Sequence, residues 1–350
     1  MAGFFGRNFA TGLSIGGVIA VGVAAAAISY ERYDTKTLKR TVRRDAVYCG
    51  VNTGLPGFSA QDDKGNWSGF DVDFCRAIAA AIFDDPKKVR FVPLDANERF
   101  TELGNRKIDV LARNSTWTMS RETEYYLQFA GVSYYDGQGF MVPRARNKSS
   151  ALELDGSKVC VQDETTTALN LADYFRANNM KLDEKKFSKL DDVFGAYAAG
   201  QCDVLTADVS QLYALRRKLG RTADHEILAD VISKEPLSPV VRQKDDDWHL
   251  LVKWALFAMI NAEELGINSK NINEALQSRK PEVMRLVGTE GDHGEWLGLS
   301  KDWAARIIRH VGNYGEVYER NVGSGSKLGI PRGLNQLWSS GGILYAPPIR

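Results

Sequence analysis

Histidine and cysteine are scarce, four of each in 350 residues, and neither is spaced to hold a metal. His225, His249, His293 and His310 are scattered, without the i, i+4 spacing that sets two ligands on one helical face. No C-x-x-C occurs, and no phosphate-cradling glycine loop follows a strand. Neither sign of charge dominates: 45 Lys and Arg stand against 44 Asp and Glu, which removes the electrostatic footprint of a nucleic-acid binder. No metal, cofactor or nucleic-acid partner is therefore expected. Missing motifs do not exclude acid–base catalysis, whose residues leave little local trace.

A long uncharged stretch, Asn8–Tyr30, follows Arg7 and ends in Gly- and Ala-rich sequence. A positive start, a short apolar run and small residues near a cleavage point predict a secretory signal peptide over residues 1–28. The alternative is a retained membrane anchor. Gly12-Leu13-Ser14-Ile15-Gly16 has the G-x-S-x-G hydrolase spacing but lies inside this export segment, so it is set aside. The charged residues 29–44 are expected to be a mobile leader. Export makes disulfides possible for Cys49, Cys75, Cys160 and Cys202, which allow three pairings. Pairing nearest neighbours, Cys49 with Cys75 and Cys160 with Cys202, keeps each bridge inside one candidate lobe. Four buried free thiols would fit a cytosolic protein.

The remaining chain reads as two α/β halves of similar plan. Ala46–Val51, Val89–Leu94 and Ile108–Ala112 read as strands, with helices opening at Gly69 and Asn97. The pattern returns with strands at Lys158–Val161, Lys186–Leu190 and Cys202–Leu205, and helices over Thr165–Asn178 and Asp191–Ala199. Leu169, Leu171 and Phe175 are the expected core face of the first of these helices. Asp109-Val110-Leu111 and Asp203-Val204-Leu205 repeat one tripeptide at equivalent points. Pro236–Val241 reads as an extended return crossing, Asp247–Glu264 as a long helix, and Ser300–Val311 as a helix capped by Ser300 with Trp303 in the core. Lobe 1 is thus expected over residues 45–142 plus 240–350 and lobe 2 over 143–239, with hinges near Phe140–Pro143 and Pro236–Val241.

Open α/β sheets place ligands at strand C-terminal ends. There the first half offers Asn114, Ser115, Thr116, Thr118 and Arg121, hydroxyls and amides with one guanidinium able to clamp a carboxylate. The second offers Glu164-Thr165-Thr166-Thr167 and Asp208. Asp208 is also a good N-cap for a helix over Val209–Leu219. Arg121 and Asp208 on opposite lobes would suit the carboxylate and ammonium of a free amino acid.

Gly69–Phe74 and Thr118–Arg121 resemble the polar amino-acid-binding proteins of ABC importers, solute-binding protein family 3. Cys49–Ser59, Trp254–Met259 with Asn261–Glu264, and Tyr345–Arg350 resemble its general L-amino acid-binding members, and the likeness runs from about residue 38 onward. The resemblance implies a type II periplasmic-binding-protein-like α/β fold: two lobes, each a wound sheet flanked by helices, joined by two hinge crossings. It implies a periplasmic, non-enzymatic monomer that captures free L-amino acids broadly and passes them to a membrane permease. It assigns the ligand carboxylate to Arg121, polar contacts to Asn114 and Thr116, a Gly-Thr-Thr motif to Thr165 and Thr166, and the ammonium to Asp208. Asn52 stands where narrower relatives carry Asp, and Leu55 where they carry an aromatic over the ligand; fewer dedicated contacts suit broad specificity. Glu164 replaces the motif's glycine. Facing the cleft it would repel acidic ligands; facing solvent it would support the following helix. The rival functions are a prephenate-type dehydratase on the same fold and a membrane-tethered sensor domain.

Overall fold

The structure, a computed structural model, describes residues 37–350. The expected signal peptide over residues 1–28 and the start of the leader lie outside the described residues. The leader's end is not loose: helix α1 (Thr37–Arg44) packs on the body with Thr37 and Thr41 buried. Both the N–H and the hydroxyl of Thr37 donate to Asp245, and Arg44 pairs with Asp109. These acceptors lie far along the chain, so the local charge pattern gave no sign of them.

The chain continues through β1 (Val47–Asn52), α2 (Phe70–Phe83), β2 (Val89–Leu94), α3 (Arg99–Gly104), β3 (Val110–Leu111), α4 (Met119–Glu124) and β4 (Leu127–Phe129). It then forms β5 (Tyr134–Asp136), β6 (Gln138–Pro143), β7 (Lys158–Gln162), α5 (Thr166–Ala177), β8 (Asp183–Phe187), α6 (Leu190–Ala198), β9 (Val204–Asp208), α7 (Val209–Lys218) and β10 (His225–Ile227). It returns through β11 (Glu235–Leu237) and β12 (Val240–Arg242) to α8 (Asp246–Glu264), with α9 (Trp303–His310) and α10 (Tyr314–Asn321) beyond.

Two five-stranded sheets result, ordered β2-β1-β3-β12-β4 and β8-β7-β9-β6-β10. In each, three parallel strands are completed by antiparallel ones. This is the expected two-lobe α/β architecture. One boundary differs. The first lobe is expected to run to residue 142 with a hinge near Phe140–Pro143, but Gln138–Pro143 pairs with β9 and β10 inside the second sheet. The crossing is instead a ribbon of β5 against β11.

Both nearest-neighbour disulfides are formed: Cys49–Cys75 ties β1 to α2, and Cys160–Cys202 ties β7 to the turn before β9. Gly69 at the start of α2 has φ 136°, and a Cβ there would sit 2.1 Å from the Phe58 carbonyl oxygen, so only glycine fits. Helix α5 buries Leu171 and Phe175 as expected, but Leu169 is 70% exposed. The α9 N-cap position falls to Asp302, without a side-chain capping bond, rather than Ser300; Trp303 is buried in the core.

Helices α8, α9 and α10 pack with α2 behind the first sheet. The C-terminal segment also grips the crossing ribbon. Tyr314 donates its hydroxyl to the Ser133 carbonyl at 2.9 Å, and Tyr318 stacks on Tyr134. Tyr135 lies opposite Pro236, and its N–H and C=O bond instead to Asn335 Oδ1 (2.7 Å) and Nδ2 (3.0 Å). The Asn335 amide thereby occupies the ribbon's open edge as a further strand would.

Candidate functional site

The two sheets aim their strand ends at one small polar cavity. Asn52, Asn114, Thr116, Arg121, Thr165, Thr166 and Asp208, all singled out in the sequence, line it together. Arg99, Arg113, Gln162, Thr167 and Gln211 line it as well.

From the first lobe, Asn52 ends β1, and its Nδ2 donates to Asn114 Oδ1 at 3.1 Å. Asn114 adopts a positive φ, 35°, and its N–H donates to the buried carboxylate of Asp71 at 3.1 Å. Asp71 therefore braces the binding loop in addition to sitting in the first turn of α2. Burial pushes its pKa up to about 7, against the pull of the Asn114 N–H and the Arg113 charge. Thr118 caps α4 by accepting the Arg121 N–H. The Arg121 guanidinium is buried over the Phe100 ring and donates from Nη1 to the Thr116 carbonyl at 2.6 Å. Burial lowers its pKa, with Glu235 and Asp208 opposing.

Arg99 and Arg113 place two further guanidinium groups at the cavity. Arg113 donates from Nε to the Leu94 carbonyl, and burial brings its pKa down to about 10. Arg99 is 3% exposed, and its Nε has no hydrogen-bond partner among the described residues. Burial and the neighbouring Arg113 and Arg121 charges hold its pKa well below the ordinary arginine value. Neither arginine was singled out in the sequence. Arg99 opens a short helix and Arg113 ends a strand run, so only their burial at one cavity marks them.

From the second lobe, Thr165 is the N-cap of α5, accepting from the Ala168 N–H and donating to the Gln162 carbonyl. Its hydroxyl is thus committed to the helix end. Thr166, the next residue, reaches within 3.3 Å of Thr116 Oγ1 on the opposite lobe. Asp208 occupies the N-cap position of α7 but makes no side-chain capping bond. The expected capping role is not taken up, since the carboxylate lines the cavity instead. Burial and the charges of Asp136 and Glu235 push its pKa well above the ordinary carboxylate range, against the pull of Arg121 and Asn114.

Two departures read from the sequence fall outside the cavity lining. Leu55 is fully buried in the core and does not line the cavity. Glu164 is exposed and adopts a positive φ, 57°, a backbone conformation that glycine takes without strain.

Among known proteins, the general L-amino acid-binding periplasmic protein AapJ of Rhizobium johnstonii is 53% identical over 333 residues, spanning 95% of this chain and 98% of that one. The glutamate/glutamine/aspartate/asparagine-binding protein BztA of Rhodobacter capsulatus is 49% identical over 94% of this chain and 97% of its own length. A solved ABC transporter periplasmic binding protein from Brucella ovis, with glutathione bound, superposes with a TM-score of 0.89 at 52% identity, covering 90% of this chain and all of that one. Residues 47–273 match the family profile, and with these relatives they show that the chain belongs to the bacterial extracellular solute-binding proteins, family 3.

Proposed function

We propose that this protein captures free L-amino acids in the periplasm, as a monomer, and delivers them to the membrane permease of an ABC importer. The opposition of Arg121 and Asp208 across the lined cavity carries the reading: a guanidinium for the α-carboxylate and a carboxylate for the α-ammonium. Asn52, Asn114, Thr116 and Thr166 supply the neutral side-chain contacts, and Thr165 shapes the lining from the helix end. Arg99 and Arg113 line the cavity beyond the Arg121–Asp208 pair, and these two further guanidinium groups favour ligands that carry a second negative charge, with the Glu235 and Asp71 carboxylates set behind the lining. This supports glutamate and aspartate ahead of basic amino acids, and Glu164, being exposed, supplies no opposing charge. The names of BztA and of the glutathione-bound relative point the same way. Binding without turnover is the expected activity, since the close relatives are named as binding proteins.

A thermal-shift panel of the twenty amino acids and glutathione, followed by calorimetry, tests this. A ligand at 100 times its Kd adds about 2.7 kcal/mol of apparent stability. No shift with any amino acid would overturn the proposal. Glutathione alone shifting the protein would replace amino acids by a γ-glutamyl peptide. Release of an aromatic product from prephenate-like acids would restore the enzyme reading.

A further inference from the structure

Glu235 begins β11, on the return crossing, and is 1% exposed. A carboxylate so deeply buried must find donors, and this one finds four. Oε2 accepts from Thr116 Oγ1 at 2.6 Å and from Thr166 Oγ1 at 3.0 Å. Oε1 accepts from Asn170 Nδ2 and from Ser233 Oγ, both at 2.7 Å. Thr116 belongs to the first lobe, while Thr166 and Asn170 sit on α5 of the second. The crossing strand itself is fastened to the first lobe, since the Trp117 N–H donates to the Pro236 carbonyl and the Ser238 N–H to the Ser115 carbonyl. Glu235 therefore joins α5 of the second lobe to the binding loop of the first.

The proton count gives this junction a chemical consequence. A threonine hydroxyl has one proton and two lone pairs. With both protons directed at Oε2, Thr116 and Thr166 can present only lone pairs to the cavity they line. That wall then accepts hydrogen bonds and does not donate them. We propose that Glu235 is a positioning residue that fixes the direction of both hydroxyls, making the Thr116–Thr166 wall a receptor for a ligand's ammonium group while latching the lobes together. The ammonium part rests on the amino-acid reading of the pocket; the latch does not.

Glu235→Leu tests both parts, because it fills similar space but removes both acceptor oxygens. The two hydroxyls, 3.3 Å apart, can then share one bond between them, and the remaining threonine proton turns into the cavity. Glutamate affinity should fall about tenfold or more, while 2-hydroxyglutarate, whose hydroxyl can accept, should lose less, so the ratio of the two affinities falls severalfold. A merely structural role would lower both affinities in parallel, and a parallel loss overturns the polarity assignment. In the ligand-free protein, spin labels at Met119→Cys and Leu169→Cys, exposed on opposite lobes, should report larger separations in E235L than with Glu235 in place. An unchanged distance distribution overturns the latch. A parent protein that binds no amino acid would sink the functional reading instead, leaving the distance measurement to decide the latch. Should E235L fail to fold, Thr166→Val removes one accepting hydroxyl and one latch bond; an unchanged affinity ratio or distance distribution there overturns the corresponding part.

Discussion

The two lobes build their halves of the cleft by different means. The first holds charge in place with backbone: Arg113 is tied to the Leu94 carbonyl, Arg121 to the Thr116 carbonyl, and the Asn114 N–H to Asp71. Behind it, α8, α9 and α10 pack on α2, and the C-terminal segment reaches on to grip β5. The second lobe contributes the threonines at the start of α5 and the carboxylate that ends β9. Its helices α5, α6 and α7 cover a sheet that also has five strands, and among the described residues no comparable helical layer is added behind them. The contrast is between an arginine-rich half braced by backbone and a half that completes the cavity with helix and strand ends.

The largest expected effect separates the lobes by stability. Each disulfide lies within one lobe, closing loops with sequence separations of 26 and 42 residues. On the loop-entropy account, replacing either pair by serine costs about 4 kcal/mol, slightly more for Cys160–Cys202. Calorimetric unfolding should show loss of the Cys160–Cys202 bridge lowering the second lobe's transition first. A single transition lowered equally by both replacements would show that the lobes unfold as one unit and break the contrast.

Next comes the charge clamp. Arg121→Ala should weaken amino-acid binding by about 3 kcal/mol or more, because the ligand carboxylate is left buried without its partner. Isothermal calorimetry giving a near-normal Kd would remove Arg121 from the site.

The buried carboxylates add a pH test. Burial raises Asp71 to about 7 and Asp136 to about 6, above the ordinary value of 3.8. Between about pH 4 and 7 the folded protein holds protons that the unfolded chain has released, so stability falls as pH rises through that window. Asp71 alone accounts for about 2 kcal/mol between pH 5.5 and 8. The urea midpoint should be higher at pH 5.5, and Asp71→Asn should remove part of that slope. A midpoint that rises towards pH 8 would contradict it.

Two smaller effects probe the ribbon and the second lobe's loop. Asn335→Ala deletes both bonds to Tyr135 and should cost about 1.5 kcal/mol, with faster amide exchange at Tyr135 than at the sheet strands. Unaltered exchange would mean that the C-terminal segment does not brace the crossing. Glu164→Gly should stabilise by up to about 1 kcal/mol, since glycine accepts the positive φ that glutamate endures. A loss of stability there would mean that the exposed glutamate side chain makes a contribution its backbone strain conceals.

Alternation, helical spacing and turn chemistry act over a few residues, and these made two wound halves readable without any structure. The same local signals marked Asn114, Thr116, Arg121, Thr165, Thr166 and Asp208 as polar groups at strand ends, where α/β sheets take ligands. Cysteine pairing followed because each bridge joins elements of one half. Tertiary structure alone decided the rest. Arg99, Arg113 and Glu235 carry no local mark; they matter because folding buries them beside partners from distant segments. Thr37 on Asp245 and Asn335 on Tyr135 join residues about 200 positions apart. Desolvation supplies the physical reason: a charge or amide gains its meaning from what replaces water around it, and that is settled only when the chain has closed.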